Sequence, residues 1–151
     1  MTFRRAVAED VPALLALHER FYREEGYPYD PISMARALRE LIANPAFGRA
    51  FVTGDPPVGY LLVTFGFSVE FGGRDAFVDE LYIADAARGQ GLGSAALQVA
   101  EEACREAGIR ALHLEVEHAN SRARALYERS GYVAHDRHLM TKRFSSGATG
   151  S

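Results

Sequence analysis

Cysteine is almost missing from this sequence. Cys104 is the only one, so no internal disulfide can form, and no Cys/His cluster has the spacing of a zinc site. That usage fits a reducing compartment, with the cytoplasm as the default. An excess of positive charge is missing too: the formal net charge of -3 and the lack of basic runs interleaved with aromatics argue against a nucleic-acid partner. No stretch approaches the roughly 18 apolar residues of a membrane span, and Met1 to Asp10 lacks the apolar core of a signal peptide. The expectation is a chain neither exported nor embedded. The histidines His18, His113, His118, His135 and His138 show no metal or triad spacing, so no metal site is expected and each is given an ordinary surface or core place.

What is present is enough for one domain. A chain of 151 residues with 48% hydrophobic content can build a core over 1–144, whereas the small, polar run from Ser145 to Ser151 is expected to be a disordered tail. Apolar residues at helical spacing from Val11 to Gly26, including Leu14, Leu15, His18, Phe21 and Tyr22, predict a first helix after a weak strand at Thr2–Val7. Asp30-Pro31 is a cap followed by proline at the first helical position, and Asn44-Pro45 ends that second helix. Ala50–Thr53 and Val58–Phe67 read as a hairpin across Gly54-Asp-Pro-Pro57, and a strand is expected over Ala76–Ile83.

A helix over Gln90–Ala107 has a small-residue face and Gly108 as its stop. Ala111–Val116 reads as a strand and Ser121–Ser130 as a helix, and Tyr132–Phe144 leaves room for one or two closing strands. The order β-α-α-β-β-β-α-β-α-β(-β) predicts an α/β fold of the α+β type, a mixed sheet covered by helices.

Chemistry concentrates at Arg88-Gly-Gln-Gly91-Leu-Gly93-Ser94, between a strand and the start of the long helix. Unpaired N–H groups of a helix's first turn face outward there, glycines let a phosphate approach the backbone, and the helix dipole favours the anion. A glycine-rich turn without a ligand is the plain alternative. A P-loop is excluded, since no Gly-Lys-Ser/Thr follows. Gly91-Leu-Gly93-Ser-Ala-Ala96 formally fits a dinucleotide-binding pattern, with Glu115 or Glu117 near the ribose-binding distance, but that pattern should start right at a strand's end. Here Ala-Asp-Ala-Ala-Arg88 intervenes.

Arg88-x-x-Gly91-x-Gly93 after Asp79-Glu-Leu-Tyr-Ile83 resembles the acetyl-CoA signature of the GNAT superfamily of N-acetyltransferases. Asn120-Ser-Arg-Ala123-Arg-Ala-Leu-Tyr127-Glu-Arg-Ser-Gly131-Tyr132 is similar to that family's following helix, and the likeness covers roughly Ala76 to Tyr132. The resemblance implies a GNAT fold and an enzyme that moves acetyl from acetyl-CoA to a primary amine. It implies that backbone groups along Leu81, Tyr82 and Ile83 hold the pantetheine arm, that Arg88, Gly89, Gln90, Gly91, Leu92, Gly93 and Ser94 hold the pyrophosphate, and that Asn120 and Tyr127 meet the arm from the other side. The sheet is expected to open between the two parallel strands. A homodimer is implied as well, and Tyr27, Tyr29, Asp30, Glu70 and Phe71 would lie in acceptor-recognition loops suited to a cationic amine.

Tyr127 lies seven residues from Asn120, on one stripe of its helix, and its phenol can protonate the departing thiolate. Asn120 as a plain N-cap and Tyr127 as a core aromatic are the structural alternatives. An alkylammonium must lose a proton before it attacks, so a carboxylate base is needed. Asp79, Glu80 and Glu115 remain level, each alternatively a solvated or charge-paired strand residue, with Asp79 and Glu80 expected on opposite faces. Cys104 reads as a small buried side chain, which implies direct transfer. A dinucleotide-binding module and a catalytically silent acyl-CoA sensor stay open beside the enzyme.

Overall fold

The computed structural model describes residues 1–145, which form two compact units, Met1–Glu115 and the segment from Val116 onward. Of the tail expected over 145–151, residues 146–151 lie outside the described residues.

In the first unit, β1 (Phe3–Arg5) leads into α1 (Val11–Glu25) and α2 (Pro31–Ala43). Gly26, at φ 72, closes α1 in a left-handed conformation, and Asp30 caps α2 by accepting from the backbone N–H groups of Ile32 and Ser33. Three antiparallel strands follow, β2 (Gly48–Thr53), β3 (Gly59–Ser68) and β4 (Gly73–Ile83), then α3 (Leu92–Glu106) and β5 (Ala111–His113). The sheet order is β1-β2-β3-β4-β5, with only β4 and β5 parallel.

Alternation along the strands divides the core into two layers. Ala50, Val52, Tyr60, Leu62 and Tyr82 face α1 and α2, where Leu14, Leu17 and Leu38 are buried against them. Phe51, Leu61, Val63 and Ala76 face α3, whose Ala96, Ala100, Ala103 and Cys104 form the small surface expected from its sequence. The helix can therefore lie close on the sheet.

Two departures from the expected strands shape the site. Leu62 pairs with Glu80 but Val63 pairs with Val78, so Asp79 is the extra residue of a β-bulge. Val78 consequently packs on the α3 side and Tyr82 on the α1 side, and strict alternation fails between them. The fifth strand is also shorter than Ala111–Val116. It pairs with β4 at Asp75, Ala76 and Phe77, ending at the Phe77–His113 rung, and among the described residues no further rung joins the two strands.

The second unit contains α4 (Ser121–Arg129), stopped by a turn in which Gly131 takes φ 94. The closing strands expected in Tyr132–Phe144 are not formed, since residues 131–145 contain no helix or strand. Val133, Leu139, Met140 and Phe144 are exposed, so no apolar face is buried there that would favour a strand.

Candidate active site

The glycine turn begins where β4 ends. After Ile83 the chain makes one short 3-10 turn, Asp85–Ala87, and reaches α3 through Arg88, Gly89, Gln90 and Gly91. Gly89 and Gly91 have φ 80 and 77, conformations that cost an L-residue about 1–2 kcal/mol. A β-carbon at either would meet no atom within 4 Å, so the space before the helix is open and backbone conformation is what demands glycine. Gly91 has no side chain with which to cap α3, and Ala95 is the first residue whose N–H returns to it, at 3.1 Å. The amides of Leu92, Gly93 and Ser94 lie in the uncapped first turn. Leu92 anchors the turn in the core, whereas Gln90 and Ser94 are exposed.

Arg88 is already engaged. Its Nε donates to the Ile83 carbonyl at 2.8 Å, its other nitrogens reach Asp85 and Glu24 at 3.3 and 3.4 Å, and its guanidinium lies 5.8 Å above the Tyr82 ring. It ties the turn to β4 and α1. Tyr82 itself points into the core, its ring 5.4 Å from Phe21 and 5.9 Å from Tyr60, so its backbone alone is available to a ligand along the strand edge. Leu81 and Ile83 are half-buried on the part of β4 that β5 leaves unpaired.

The three candidate carboxylates have different surroundings. Three donors converge on Glu80: the Tyr60 hydroxyl at 2.8 Å, the Tyr22 hydroxyl at 3.0 Å and His18 Nε2 at 3.0 Å. Burial and the charge of Glu80 raise the pKa values of Tyr60 and Tyr22, which keeps both phenols protonated as donors. Tyr29, beside His18 and Tyr22, is pushed up to about 12 by burial and by Glu19 and Glu80.

Asp79 is exposed, yet desolvation of its carboxyl raises its pKa, and Glu80 and Glu115 raise it further against an opposing effect of His18. Tyr22 in turn feels both Asp79 and Glu80. Glu80 lies on the α1 side of the sheet among Tyr22, Tyr60 and His18, and the charges of Asp79 and Glu80 are close enough to act on each other. Glu115 is exposed, two residues past the end of β5.

His18, expected in an ordinary surface or core place, is in the core, and its pairing with Glu80 is what the sequence reading did not name. Its side chain is 3% exposed and it is the buried partner of Glu80. The signal was there: His18 and Tyr22 are four apart on the inner face of α1, the spacing at which two side chains on a helix act together. A second pair also escaped notice, His113 Nε2 lying 3.0 Å from Asp75 Oδ2.

In the second unit Asn120 is the N-cap of α4, its Oδ1 accepting from the Ala123 N–H at 3.1 Å. Tyr127 is half-buried, packs edge-on to Tyr132 at 6.2 Å, and has a phenol pKa raised by burial. No group of three residues suited to a metal ion occurs among the described residues. A groove of about 570 Å³ between β1 and α3, lined by Phe3, Ala95, Gln98 and Val99 among others, includes neither the glycine turn nor Asp79, Glu80 or Glu115.

The fold recurs in known proteins. The family model described as acetyltransferase (GNAT) family matches residues 11–132. No curated protein matches the chain. Among solved structures, an integron cassette protein from the mobile metagenome of Cole Harbour Salt Marsh is 35% identical, with 96% of this chain and 91% of that one covered and a TM-score of 0.84. A ribosomal-protein-alanine N-acetyltransferase from Brucella melitensis biovar Abortus 2308 is 20% identical over 95% of this chain and 100% of its own, at TM-score 0.73. A predicted acetyltransferase from Clostridium acetobutylicum, solved with acetyl-CoA, is 17% identical over 93% and 95%, at TM-score 0.79. These last two share the fold.

Proposed function

This chain belongs to the GNAT acetyltransferase family, and from that premise we propose that it moves the acetyl group of acetyl-CoA directly onto a primary amine of a small molecule or a protein. One observation carries the reading: β4 loses its parallel partner after Phe77, and the freed strand edge runs up to an uncapped, glycine-lined helix start. A strand edge offers alternating N–H and C=O groups to an amide-bearing arm, and the helix start offers N–H groups to a diphosphate.

The residues present fit the donor. The open space before Gly89 and Gly91, which no β-carbon fills, suits a phosphate group against the backbone. Backbone amides from Gly89 to Ser94 would hold the pyrophosphate, and Leu81, Tyr82 and Ile83 the pantetheine arm, with Arg88 keeping the turn attached to β4. Acetyl-CoA, when bound, supplies the acetyl group as a thioester.

Asp79 is assigned the base. A proton acceptor needs a free lone pair and access to its substrate; Glu80 has most of its lone pairs committed to three donors, whereas Asp79 is the exposed residue of the bulge. Its raised pKa makes Asp79 a better proton acceptor than an ordinary carboxylate, and the nearby negative charge of Glu80 and Glu115 suits a cationic amine. The ammonium gives its proton to Asp79 and so gains the lone pair with which it attacks. The resemblance assigns Tyr127 as the acid: its phenol, kept protonated by burial, would give its proton to the departing thiolate and regain one from the newly acylated nitrogen. Cys104 does not carry the acyl group: it is buried and its thiol pKa is pushed up to about 11, so little thiolate exists at neutral pH. The same resemblance carries the proposal of a homodimer, which sedimentation equilibrium would weigh.

The test is a panel of amines assayed for CoA release, run beside a thermal-shift comparison of acetyl-CoA with NAD. Stabilisation by acetyl-CoA and turnover of at least one primary amine are expected. Stabilisation by NAD alone would replace this reading with a dinucleotide-binding module, and acetyl-CoA binding without release for any amine would leave a silent sensor.

A further inference from the structure

Among the described residues, the strand contact that β5 makes is short. It pairs with β4 over Asp75–Phe77, its three residues are all half-buried, and the pairing stops at the Phe77–His113 rung. Three rungs of parallel ladder are a weak clamp for the point at which a sheet divides. At that rung the chain adds something else. His113 reaches diagonally back to Asp75, the residue two places before its own partner on β4, and places Nε2 3.0 Å from Oδ2. Asp75 is buried, and the His113 ring lies 4.8 Å from the ring of Phe71 and 4.9 Å from that of Phe77. The two side chains keep 19% and 12% of their surface in solvent. A hydrogen bond so shielded from water competes little with solvent and adds a side-chain tie to a short ladder.

We infer that His113, held by Asp75, is a positioning residue: it clips β5 to β4 at the fork and thereby sets where the slot begins. The next residues of β4 are Val78 and the bulged Asp79, so the clip lies immediately below the carboxylate assigned as base. Freed of it, the fork moves along the strands by about 3.3 Å for each rung lost, and the edge from Val78 to Ile83 loses its fixed distance from β5. The role assigned to the slot rests on the acetyltransferase reading, whereas the clip itself does not.

The full chain tests both. His113→Leu keeps an apolar side chain between Phe71 and Phe77 but removes the donor, and His113→Gln keeps a donor. Three quantities are measured for each: the acetyl-CoA dissociation constant by calorimetry, amide hydrogen exchange of the ligand-free protein over 74–83 and 111–115, and the melting temperature. His113→Leu is expected to weaken acetyl-CoA binding by roughly tenfold or more and to speed exchange on both strands at the fork, with most of both effects restored by His113→Gln. Asp75→Asn combined with His113→Leu should be little worse than His113→Leu alone. Unchanged exchange and affinity in a folded His113→Leu protein overturn the inference. So does a lower melting temperature with unchanged affinity where the variant is folded, which would make the pair ordinary packing. Failure of the wild-type chain to bind acetyl-CoA counts against the transferase reading, and the exchange data still decide the clip.

Discussion

Three donors converge on the Glu80 carboxylate, and Tyr60, one of them, is fully buried. Glu80→Gln turns one acceptor oxygen into an NH2 group facing donors, so at least one of Tyr22, Tyr60 and His18 loses its partner. A loss of about 1–3 kcal/mol is expected, read as a lower urea midpoint. Asp79 predicts the opposite. Its pKa is raised in the fold from 3.8, so its contribution to stability is present below that value and is lost as pH rises through the folded one. At neutral pH the ionised side chain is therefore a net cost. Asp79→Asn should melt at or above the wild-type temperature at pH 7, with the advantage shrinking as pH falls toward 4, while CoA release collapses. A variant that is both less stable at pH 7 and fully active would return Asp79 to the solvated surface. Tyr127→Phe removes one oxygen and keeps the ring against Tyr132. Turnover should fall roughly ten- to a thousandfold, toward the lower end because a thiolate is a tolerable leaving group, with acetyl-CoA affinity nearly unchanged. Unimpaired turnover would make it a packing residue.

Among the elements, the start of α3 is the most sharply testable. Gly91 sits at φ 77 with nothing within 4 Å of the β-carbon it lacks. Gly91→Ala should therefore lower stability by about 1–2 kcal/mol through conformation, not collision. Gly91→Glu adds a negative charge at the helix start and is expected to abolish acetyl-CoA binding in a protein whose circular dichroism still shows the fold. Retained affinity would take the turn out of the site. The bulge at Asp79 belongs to this scale too, because it shifts the alternation of β4, so that Val78 faces α3 while Glu80 and Tyr82 lie on the α1 side.

For the molecule as a whole, a ligand that binds only the folded state raises stability by RT ln(1 + [L]/Kd), about 2.7 kcal/mol at a hundred times Kd. A chain of this size should then melt several degrees higher in saturating acetyl-CoA, and the Gly91→Glu protein should show no such rise. An equal rise in both would mean that the ligand binds elsewhere.

Local periodicity, caps and glycines were sufficient to locate α1 to α4, the hairpin and the glycine turn, since each rests on residues within a few positions of one another: Asp30 caps α2 and Gly91 opens α3 as their neighbours dictate. The linked patterns at Arg88–Ser94 and Asn120–Tyr132 likewise carried the family, because their spacing is read along the chain. What needed the folded chain depends on pairing across distance. The bulge is a relation between Asp79 and Leu62–Val63, the short fifth strand a relation between Ala111–His113 and Asp75–Phe77, and no local pattern reports either. For the same reason the choice among three carboxylates came only from the fold. Whether a carboxylate is free to take a proton depends on the donors that other elements bring to it, and His18, Tyr22 and Tyr60 reach Glu80 from as far as 62 residues away.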